Sequence, residues 1–396
     1  MKIAVVGVKG IPANQGGIEH YCQELYKNIT SRGNTVELYA RSNYTKQNSF
    51  SSYYCHGVKV ISLPSMPWQS FDALLNSFIA AVAATFVRYD IVHFHALGPS
   101  LFCWIPRWFS SAKIVVTCHG LDWQRSKWSK LGSSIIYAGE RAAVSYAHKL
   151  IVVSKYLETY FQQKYELETT YIPTAPALYA KSNLISYTDS LKLKTKKYIL
   201  FLGRLVPEKR PDLLLEAFKL LDPPNWKLVF VGDTSGTDSF KLKLLSKKNE
   251  KIIFTNTLTG TPLADIVRNA GLFVLPSDLE GLPLVMLEAM REGIPVLASD
   301  IPPHCQLISK DRGLLFKAGN IHSLVSNLEK ALSQPAELNT KAQRAKEYVV
   351  NNYSWEKVSY ENLMLYVKLS KLLTNNNWQK KSGDRYKQKE HVSRNK

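Results

Sequence analysis

Two pairs of charged residues have types and spacings suited to a ligand that carries both phosphate and hydroxyl groups. Arg204 and Lys209 lie in GRLVPEKR, and Glu280 and Glu288 lie eight positions apart in SDLEGLPLVMLEAM. An arginine binds phosphate through two parallel donors, and a lysine adds a compact charge. Carboxylates accept hydrogen bonds from sugar hydroxyls but repel phosphate. The two pairs therefore predict different parts of one ligand, although each alone is also consistent with ordinary surface charge.

A predicted helix start lies between the two glutamates. Pro283 suits the first position of a helix, so the N–H groups of Leu284 and Val285 are expected to lack partners within the helix. Free N–H groups at a helix N-terminus favour an anion. We expect a phosphate cradle here, with one glutamate on the preceding loop and the other inside the helix. Acidic residues near the positive end of a helix also occur without a ligand.

Glycines mark the N-terminal stretch GVKGIPANQGGIEHY, residues 7–21. The dinucleotide fingerprint G-x-G-x-x-G is absent, which gives little support for a nicotinamide site. Gly16 and Gly17 would let backbone approach a ligand at the start of the following helix, whose free N–H groups favour an anion. A tight turn required only for packing is the alternative.

His119 follows an apolar run in VTCHGLDWQR, and Asp122 comes three positions later. A lone histidine at a strand end is more often structural than catalytic, because neutral imidazole pairs well with loop backbone. The four features share one property, since all fall at the carboxyl ends of apolar runs. Open α/β sheets bind ligands at that edge, so their coincidence in both halves of the chain favours a cleft between two domains.

The elements that must position these residues are alternating strands and helices. Apolar runs typical of parallel strands buried on both faces occur in the first half at KIAVVG, TVELYAR, VKVISL, DIVHFHA, KIVVTCH and KLIVVS. After a polar segment the alternation restarts with YILFLGR, WKLVFVGD, KIIFTNT, LFVLPS, PVLAS and GLLF. The pattern predicts two Rossmann-like α/β domains in tandem.

The predicted boundaries give a first domain at residues 1–180, a linker at 181–197 and a second domain at 198–352. A C-terminal helix is predicted at 353–374, with Ser354 as its N-cap. Residues 375–396 carry seven Lys and Arg against two Asp and Glu, and they are predicted to be a basic, disordered tail.

Composition bounds the class of protein. The chain of 396 residues is 45% hydrophobic, which allows two cores. Its formal net charge of +19 favours an anionic partner as much as it favours a simply solvated basic surface. Five scattered cysteines without zinc spacing, and an N-terminal strand in place of a secretion signal, predict a reduced cytoplasmic protein. Residues 70–87 predict a buried helix rather than a membrane span, because Asp72, Asn76 and Ser77 interrupt them.

Taken together, the motifs resemble those of GT-B glycosyltransferases of family 4, over residues 1 to about 373. The resemblance rests on GIPANQGGIEHY, HGLDWQR, GRLVPEKR, FVGD, SDLEGLPLVMLEAM and GIPVLASDIPPH. It implies two Rossmann-like domains facing a cleft, with a C-terminal helix that crosses back to the first domain. It also implies transfer of a hexosyl or deoxyhexosyl group from a nucleoside-diphosphate sugar to a hydroxyl acceptor, with retention of configuration. No metal or other cofactor is implied, and the D-x-D motif of metal-dependent transferases is absent.

The resemblance implies roles for individual residues. His119 and Glu280 would be the catalytic residues, both meeting the transferred sugar, and Glu19 and Asp122 would lie at the acceptor. Glu288 would bind ribose hydroxyls, and residues 256–258 would hold the base mostly through backbone. The full donor set is expected to be Gly16, Gly17, Arg204, Lys209, Leu284, Val285 and Glu288.

Two aromatic and basic stretches, LFCWIPRWF (101–109) and WQRSKWSK (123–130), lie in the domain that holds the acceptor in this fold. Interleaved Trp and cationic residues suit an anionic membrane surface and a lipid-linked glycan acceptor, and the basic tail could add attraction. Core Trp with solvated cations is an equally good interpretation. The expected location is the cytoplasm, including the inner face of the cell membrane, with a role in cell-surface polysaccharide or glycolipid assembly.

Three other functions compete with this interpretation. A sugar-nucleotide epimerase shares the two-domain architecture but needs no acceptor site. A nucleic-acid binder would explain the charge, but the sequence contains no recognisable binding module, and no nucleic-acid partner is expected. A catalytically silent scaffold is disfavoured because Arg204, Lys209, Glu280 and Glu288 are all present.

Overall fold

The computed structural model describes residues 1–13, 16–66, 69–125, 128–180, 186–233, 238–308 and 311–371. Two α/β domains follow one another along the chain, and each is built on one largely parallel sheet. The predicted fold of two Rossmann-like domains is confirmed. The basic tail predicted at 375–396 lies outside the described residues.

Among the described residues, eight strands form the sheet of the first domain: β1 (Lys2–Val6), β2 (Thr35–Arg41), β3 (Ser52–Cys55), β4 (Val58–Leu63), β5 (Ile91–His95), β6 (Lys113–Cys118), β7 (Lys149–Val152) and β8 (Thr170–Tyr171). Their spatial order is β3-β4-β2-β1-β5-β6-β7-β8, and within the described part of the chain only β3 and β4 pair antiparallel. The six predicted runs all form strands. The short β3 and β8 were not predicted, because neither contains a buried apolar run.

Helices of the first domain connect these strands: α1 (Gly17–Thr30), α2 (Ser42–Thr45), α3 (Gln69–Phe86), α4 (Trp104–Phe109), α5 (Lys130–Tyr146) and α6 (Lys155–Tyr165). α3 contains the interrupted apolar stretch, and its polar residues have partners: Arg41 Nη1 lies 3.5 Å from Asp72 Oδ2, and the backbone N–H of Met66 donates to Asp72 Oδ1. Within the described part of the chain, no helix combines the length and apolar character needed to cross a bilayer.

In the second domain, as far as the structure describes it, six parallel strands form the sheet: β9 (Tyr198–Leu202), β10 (Lys227–Val231), β11 (Ile252–Phe254), β12 (Leu272–Leu275), β13 (Val296–Ser299) and β14 (Leu314–Phe316), in the order β11-β10-β9-β12-β13-β14. The helices around it are α7 (Ser186–Ser190), α8 (Pro211–Leu221), α9 (Asp238–Leu245), α10 (Gly260–Arg268), α11 (Leu284–Arg291), α12 (Pro302–Ile308), α13 (Ile321–Ser333) and α14 (Pro335–Asn352). Central strands such as β9 are buried on both faces, as a doubly wound sheet requires.

The segment between the sheets contains structure that its polar sequence does not predict. α7 lies within residues 181–197, and the backbone N–H groups of Tyr187 and Thr188 both donate to Asp265 Oδ2 at 3.0 Å. The carboxylate satisfies the free N–H groups at the start of this short helix. The described part of the segment is therefore attached to the second domain.

A helix at residues 355–371, which we call the return helix, packs against the first domain. Its buried apolar residues Trp355, Val358, Tyr366 and Leu369 share one core with residues of β1, α1 and β2. Trp355 Nε1 donates to the carbonyl oxygen of Pro176 at 3.2 Å. The last described helix of the chain therefore packs on the first domain.

Candidate active site in the interdomain cleft

The two domains meet through glycines at the carboxyl ends of their sheets. A Cβ atom on Gly120 would lie 3.5 Å from Cα of Gly281, and one on Gly17 would lie 3.2 Å from Leu284 Cδ1. Gly17 and Gly120 belong to the first domain, and their counterparts to the second. Three of the four predicted motifs therefore border one cleft: the glycine stretch with Gly17, the His119 motif with Gly120, and the two-glutamate motif with Gly281 and Leu284.

Lys209 and Glu280 form a close ion pair on the second domain's side of the cleft. Lys209 Nζ lies 2.7 Å from Glu280 Oε1, which also accepts from Ser277 Oγ at 2.8 Å. Burial acts to raise the pKa of Glu280, but the charges of Lys209 and His304 and the two hydrogen bonds outweigh it, so the net pKa lies below its usual value. Glu280 is therefore ionised at neutral pH and acts as a hydrogen-bond acceptor, not as an acid.

Arg204 has a cationic neighbour from the other domain. Burial, and next the positive charge of Arg125, lower the pKa of Arg204, while Glu208, 3.9 Å away, partly compensates. Arg125 follows the first domain's 3₁₀ turn Asp122–Gln124, and its Nε lies 2.9 Å from Asp122 Oδ1. The two guanidinium groups, one from each domain, therefore lie close enough to repel each other, and an anion bound between them would relieve that repulsion.

The N-terminus of α11 borders the cleft, because Leu284 lies against Gly17 of the first domain. α11 begins at Leu284, with Pro283 as its cap residue and not as its first helical residue. The first intrahelical bonds are donated by Met286 and Leu287 to the carbonyl of Pro283. Among the described residues, the N–H groups of Leu284 and Val285 have no backbone acceptor, as the sequence predicted.

Glu288 lies one turn further along α11 and is held by the segment before the linker. Its Oε2 accepts from Tyr179 OH at 2.7 Å, and the backbone of Ala177 also hydrogen-bonds to it. Burial raises the pKa of Glu288 to about 7, and these two hydrogen bonds limit the rise. Glu280 and Glu288 therefore differ in charge state near neutral pH despite their short separation in sequence.

His119 directly follows β6 and lies at the first domain's side of the cleft. Its ring packs edge-on against Tyr21 at 4.8 Å between centroids, and its Nε2 lies 3.2 Å from His95 Nδ1. Burial lowers the pKa of His119 to about 4, although Asp122 acts to raise it. The imidazole is therefore neutral at physiological pH, and among the described residues nothing hydrogen-bonds to its Nδ1.

The glycine turn before α1 is partly occupied by a side chain of the same helix. Gly16 has φ +102°, and a Cβ there would lie 2.1 Å from Glu19 Oε2, so the carboxylate folds back over the helix start. Glu19 is only 7% exposed. A phosphate bound at this helix start would have to displace Glu19, so α11 is the better phosphate site of the two.

Residues 256–258 follow β11 beside the loop at Gly232. The carbonyl of Asn256 accepts from Gly232 N at 2.8 Å, and Asn256 and Thr257 are exposed. A Cβ on Gly232 would lie 2.0 Å from the carbonyl oxygen of Gly203, so the loops after β9 and β10 touch. This segment therefore borders the same edge of the second sheet as Arg204.

Sequence reasoning missed three residues that the fold brings to the site. Arg125 and Tyr179 were not assigned, although Arg125 lay inside a quoted motif. His304, fully buried on α12, points Nδ1 at the carbonyl of Ser299 at 3.0 Å and acts electrostatically on Glu280. Only the position of Arg125 and His304 in the HGLDWQR and GIPVLASDIPPH motifs could have drawn attention to them.

Acidic, histidine and cysteine side chains do not cluster as metal ligands in the described part of the chain. Among the residues that the structure describes, no group of three or more such side chains has the geometry to hold an ion. The charges that face an anionic ligand here are those of arginine and lysine side chains and of a helix N-terminus.

Comparison with known proteins gives two family matches that together span most of the chain. Residues 15–175 match the family described as Glycosyltransferase Family 4, and residues 187–349 match Glycosyl transferases group 1. The boundary between the two matches falls within the segment that joins the sheets. Neither description concerns an epimerase, so the epimerase alternative receives no support.

Relatives and solved structures extend the likeness to nearly full length. An uncharacterised glycosyltransferase of Methanocaldococcus jannaschii is 26% identical, and the match covers 92% of this chain and 98% of the relative. Sucrose-phosphate synthase from Thermosynechococcus elongatus has a TM-score of 0.79 at 22% identity, covering 93% of this chain and 98% of that one. Anabaena HepE in complex with UDP and glucose has a TM-score of 0.76 at 20% identity, covering 93% and 100%.

Proposed function

We propose, since this chain belongs to the GT-B glycosyltransferases of family 4 type, that it transfers a sugar from a nucleoside-diphosphate sugar to a hydroxyl acceptor with retention of anomeric configuration. The observation that carries the proposal is the meeting of two guanidinium groups, one ammonium group and a free helix N-terminus around the cleft. All four stabilise negative charge, and a departing nucleoside diphosphate develops such charge.

The leaving diphosphate is the centre of the proposed mechanism. Arg204 and Lys209 would bind its oxygens, and the N–H groups of Leu284 and Val285 would complete the cradle. These groups supply the charge stabilisation that Mg²⁺ supplies in other transferases, so we propose that transfer is independent of metal and of other cofactors. The diphosphate would displace Lys209 from part of its contact with Glu280.

The transferred sugar would lie between Glu280 and His119. Glu280, ionised and oriented by Ser277, would accept from sugar hydroxyls. His119 is neutral and keeps Nδ1 for a hydrogen bond to the sugar near the reaction centre. Glu288 would accept from ribose hydroxyls at the other end of the donor. We assign catalysis to His119 and Glu280 and donor binding to the cations, the helix start and Glu288.

Retention of anomeric configuration requires the acceptor to attack the anomeric carbon on the same face from which the diphosphate leaves. In the proposed sequence the bond from the anomeric carbon to phosphate oxygen breaks first, and the acceptor oxygen then bonds to that carbon. A donor phosphate oxygen takes the acceptor's proton. Closing the cleft around the cationic sugar and the departing diphosphate excludes water and limits hydrolysis. Glu19 and Asp122, at the first domain's edge of the cleft, are proposed to orient the acceptor.

A uridine nucleotide is the first donor class to test, because the similar HepE structure holds UDP. The experiment measures thermal unfolding with UDP, GDP, ADP and dTDP, for the native chain and for Arg204→Ala. A nucleotide at a hundredfold its dissociation constant stabilises the chain by about 2.7 kcal/mol. Stabilisation by one nucleotide that is lost in Arg204→Ala supports the donor site. If no nucleotide or intact sugar nucleotide stabilises the native chain, the proposed donor site is wrong.

The acceptor is proposed to be a lipid-linked glycan at an anionic membrane surface, in polysaccharide or glycolipid assembly. Trp108 and Phe109 on α4 are 62% and 68% exposed, which suits insertion at a membrane interface. Trp123, from the second aromatic stretch, does not suit it, because its Nε1 donates to the buried Glu140 at 2.8 Å. The proposed membrane contact is therefore limited to α4.

Flotation with phosphatidylglycerol vesicles at low salt tests this contact. We expect the native chain to float and a Trp108→Glu, Phe109→Ser double variant to stay at the bottom. Leu220→Ser is the control, since Leu220 is 64% exposed on α8 of the second domain. Equal flotation of all three chains, or of none, would contradict a membrane contact through α4.

A further inference from the structure

A chain of buried polar side chains runs beneath His119, and the proposed mechanism does not use it. Its members are fully buried and come from α1, β5, β6 and the return helix: Tyr26, His93, His95, Thr117 and Tyr366. A buried polar group costs free energy unless it is hydrogen-bonded, and an apolar core would need none of these groups. Their presence at one place therefore calls for an explanation.

Hydrogen bonds join the members into one continuous path that ends at His119. Tyr366 OH lies 2.6 Å from His93 Nδ1, and Tyr26 OH lies 3.0 Å from the same nitrogen. Tyr26 OH also lies 2.7 Å from His95 Nε2, and His95 Nδ1 lies 3.2 Å from His119 Nε2. On its other side, His93 Nε2 lies 2.7 Å from Thr117 Oγ1.

All three imidazoles of the path are neutral at physiological pH. Burial lowers the pKa of His93 to about 3 and that of His119 to about 4, and burial with the neighbouring histidines lowers the pKa of His95 well below its usual value. A neutral imidazole has one donor nitrogen and one acceptor nitrogen. Each hydrogen bond therefore decides the tautomer of the next ring.

Only two arrangements of protons give every hydrogen bond between Tyr26 and His119 one donor and one acceptor. When the Tyr26 hydroxyl donates to His95 Nε2, His95 donates from Nδ1, and His119 must carry its own proton on Nδ1. When His119 donates from Nε2, His95 accepts at Nδ1 and donates from Nε2 to the Tyr26 oxygen, and His119 Nδ1 is then an acceptor. The two arrangements therefore give opposite hydrogen-bonding roles to His119 Nδ1, which has no hydrogen-bond partner among the described residues.

We propose that Tyr26, His95, His93 and Tyr366 are positioning residues that fix the tautomer of His119, and so decide whether its Nδ1 donates to or accepts from the transferred sugar. The inference rests on the proposed role of His119 in glycosyl transfer. Through Tyr366, the return helix takes part in orienting His119. The described path contains no carboxylate or cation, so it orients a proton and supplies no net proton.

The return helix also holds His119 from a second side. Asn362 Nδ2 lies 3.5 Å from Tyr21 OH, and the Trp355 ring packs against Tyr21 at 5.7 Å. Tyr21 in turn packs edge-on against His119. The path and this aromatic contact together fix both the tautomer and the orientation of the ring.

Nuclear magnetic resonance of ¹⁵N-histidine-labelled protein tests the proposal without any activity. Two-bond ¹⁵N–¹H correlations distinguish protonated from unprotonated ring nitrogens, and a His119→Gln variant assigns the signal. We expect one tautomer of His119 in the native chain and a mixture of both in Tyr26→Phe. Tyr198→Phe is the matched control, because its hydroxyl is equally buried and donates to Ile266 O in the second domain. A His119 spectrum that is identical in all three chains would overturn the proposal.

Kinetics then connect the tautomer to catalysis. We expect Tyr26→Phe to lower kcat by about tenfold or more with KM for the donor nearly unchanged, because a misdirected group affects the reacting geometry. Tyr366→Phe should give a smaller loss of the same kind, and it replaces Tyr26→Phe if that variant does not fold. If Tyr26→Phe alters the tautomer but the native chain shows no transferase activity, the proposed function is refuted and the hydrogen-bonded path is not. A kcat loss no greater than that of Tyr198→Phe would refute the link to catalysis.

Discussion

A Cβ atom on Gly281 would lie 1.9 Å from the carbonyl oxygen of His119, across the boundary between the two domains. No side chain fits between these two backbones. The loop that carries Glu280 is thereby held directly against the loop that carries His119. This contact fixes the separation of the two residues to which we assign catalysis.

Gly281→Ala should therefore keep the cleft from closing. At 1.9 Å the added carbon must push the loops apart, and displacement of about 1 Å in a reacting geometry can cost about a hundredfold in rate. We expect kcat to fall by roughly that factor, while nucleotide binding to the second domain, measured by thermal shift, persists. Gly98→Ala is the control, because a Cβ there would meet only ordinary contact at 3.8 Å from Ile136. Equal activity of the two variants would show that closure does not depend on this contact.

Arg125 should contribute to donor binding from the opposite domain. Because it lies near Arg204 and is oriented by Asp122, it can contact an anion bound between them. We expect Arg125→Ala to weaken binding of the stabilising nucleotide by about tenfold, and Arg125→Lys to have a smaller effect, since lysine keeps the charge but not the planar fork. Isothermal titration calorimetry measures both.

Arg32→Ala is the control for Arg125, since Arg32 is exposed beyond the C-terminus of α1, at the end of that helix opposite to Gly17. An unchanged affinity in Arg125→Ala would assign the residue to its ion pair with Asp122 alone. A loss shared equally by Arg32→Ala would indicate a general effect of net charge.

The sequence was sufficient to predict the fold and to predict that candidate residues lie at the carboxyl edge of each sheet. Strands such as β1 and β9 were predictable because parallel strands buried on both faces are continuous apolar runs. The carboxyl ends of parallel strands converge, so residues after several runs could be predicted to share a site. His119 and Lys209 were placed by that argument, which needs no knowledge of distant contacts.

Contacts between residues far apart in sequence could not be predicted. Tyr179 and Glu288 are 109 positions apart, and His93 and Tyr366 are 273 apart, and no local pattern joins either pair. Trp123 shows the same limit, because an aromatic residue among cations is equally suited to a membrane or to a buried carboxylate. Only the position of Glu140 on α5 decides between them.

Donor binding should depend on pH through Glu288. Its pKa of about 7 means that the carboxylate, the better acceptor for ribose hydroxyls, forms only as the pH rises through that value. We expect nucleotide affinity to increase from pH 6 to pH 8. Glu288→Gln should abolish that part of the increase and leave only the titration of the nucleotide's own phosphate, whose second pKa is about 6. Affinity measured by calorimetry at each pH separates the two contributions.

Tyr179→Phe should move the midpoint of this pH dependence upward, since the Tyr179 hydroxyl limits the pKa rise of Glu288. The contribution of Glu288 to the free energy of unfolding falls as the pH rises, whereas its contribution to nucleotide affinity increases. A carboxyl whose folded pKa is raised stabilises the free protein below its unfolded pKa, and this contribution is lost as the pH rises through about 7. A midpoint that does not move in Tyr179→Phe would contradict the assignment of the titration to Glu288.

Glu140 should stabilise both the first domain and the loop that carries Asp122 and Arg125. It is fully buried and accepts from Trp123 Nε1, from Lys164 Nζ at 2.9 Å, and from two tyrosine hydroxyls. Glu140→Gln keeps the shape but leaves the ammonium of Lys164 without its counter-charge.

We expect Glu140→Gln to lower the free energy of unfolding by about 2 kcal/mol in urea denaturation, since a buried charged partner is lost. Activity should fall as well, because Trp123 belongs to the turn that precedes Arg125. Glu158→Gln is the matched control: Glu158 forms a surface ion pair with Lys155 at 2.7 Å, which contributes less than about 1 kcal/mol. If the two substitutions cost the same, Glu140 does not anchor the loop, and the position of Arg125 must depend on Asp122 alone.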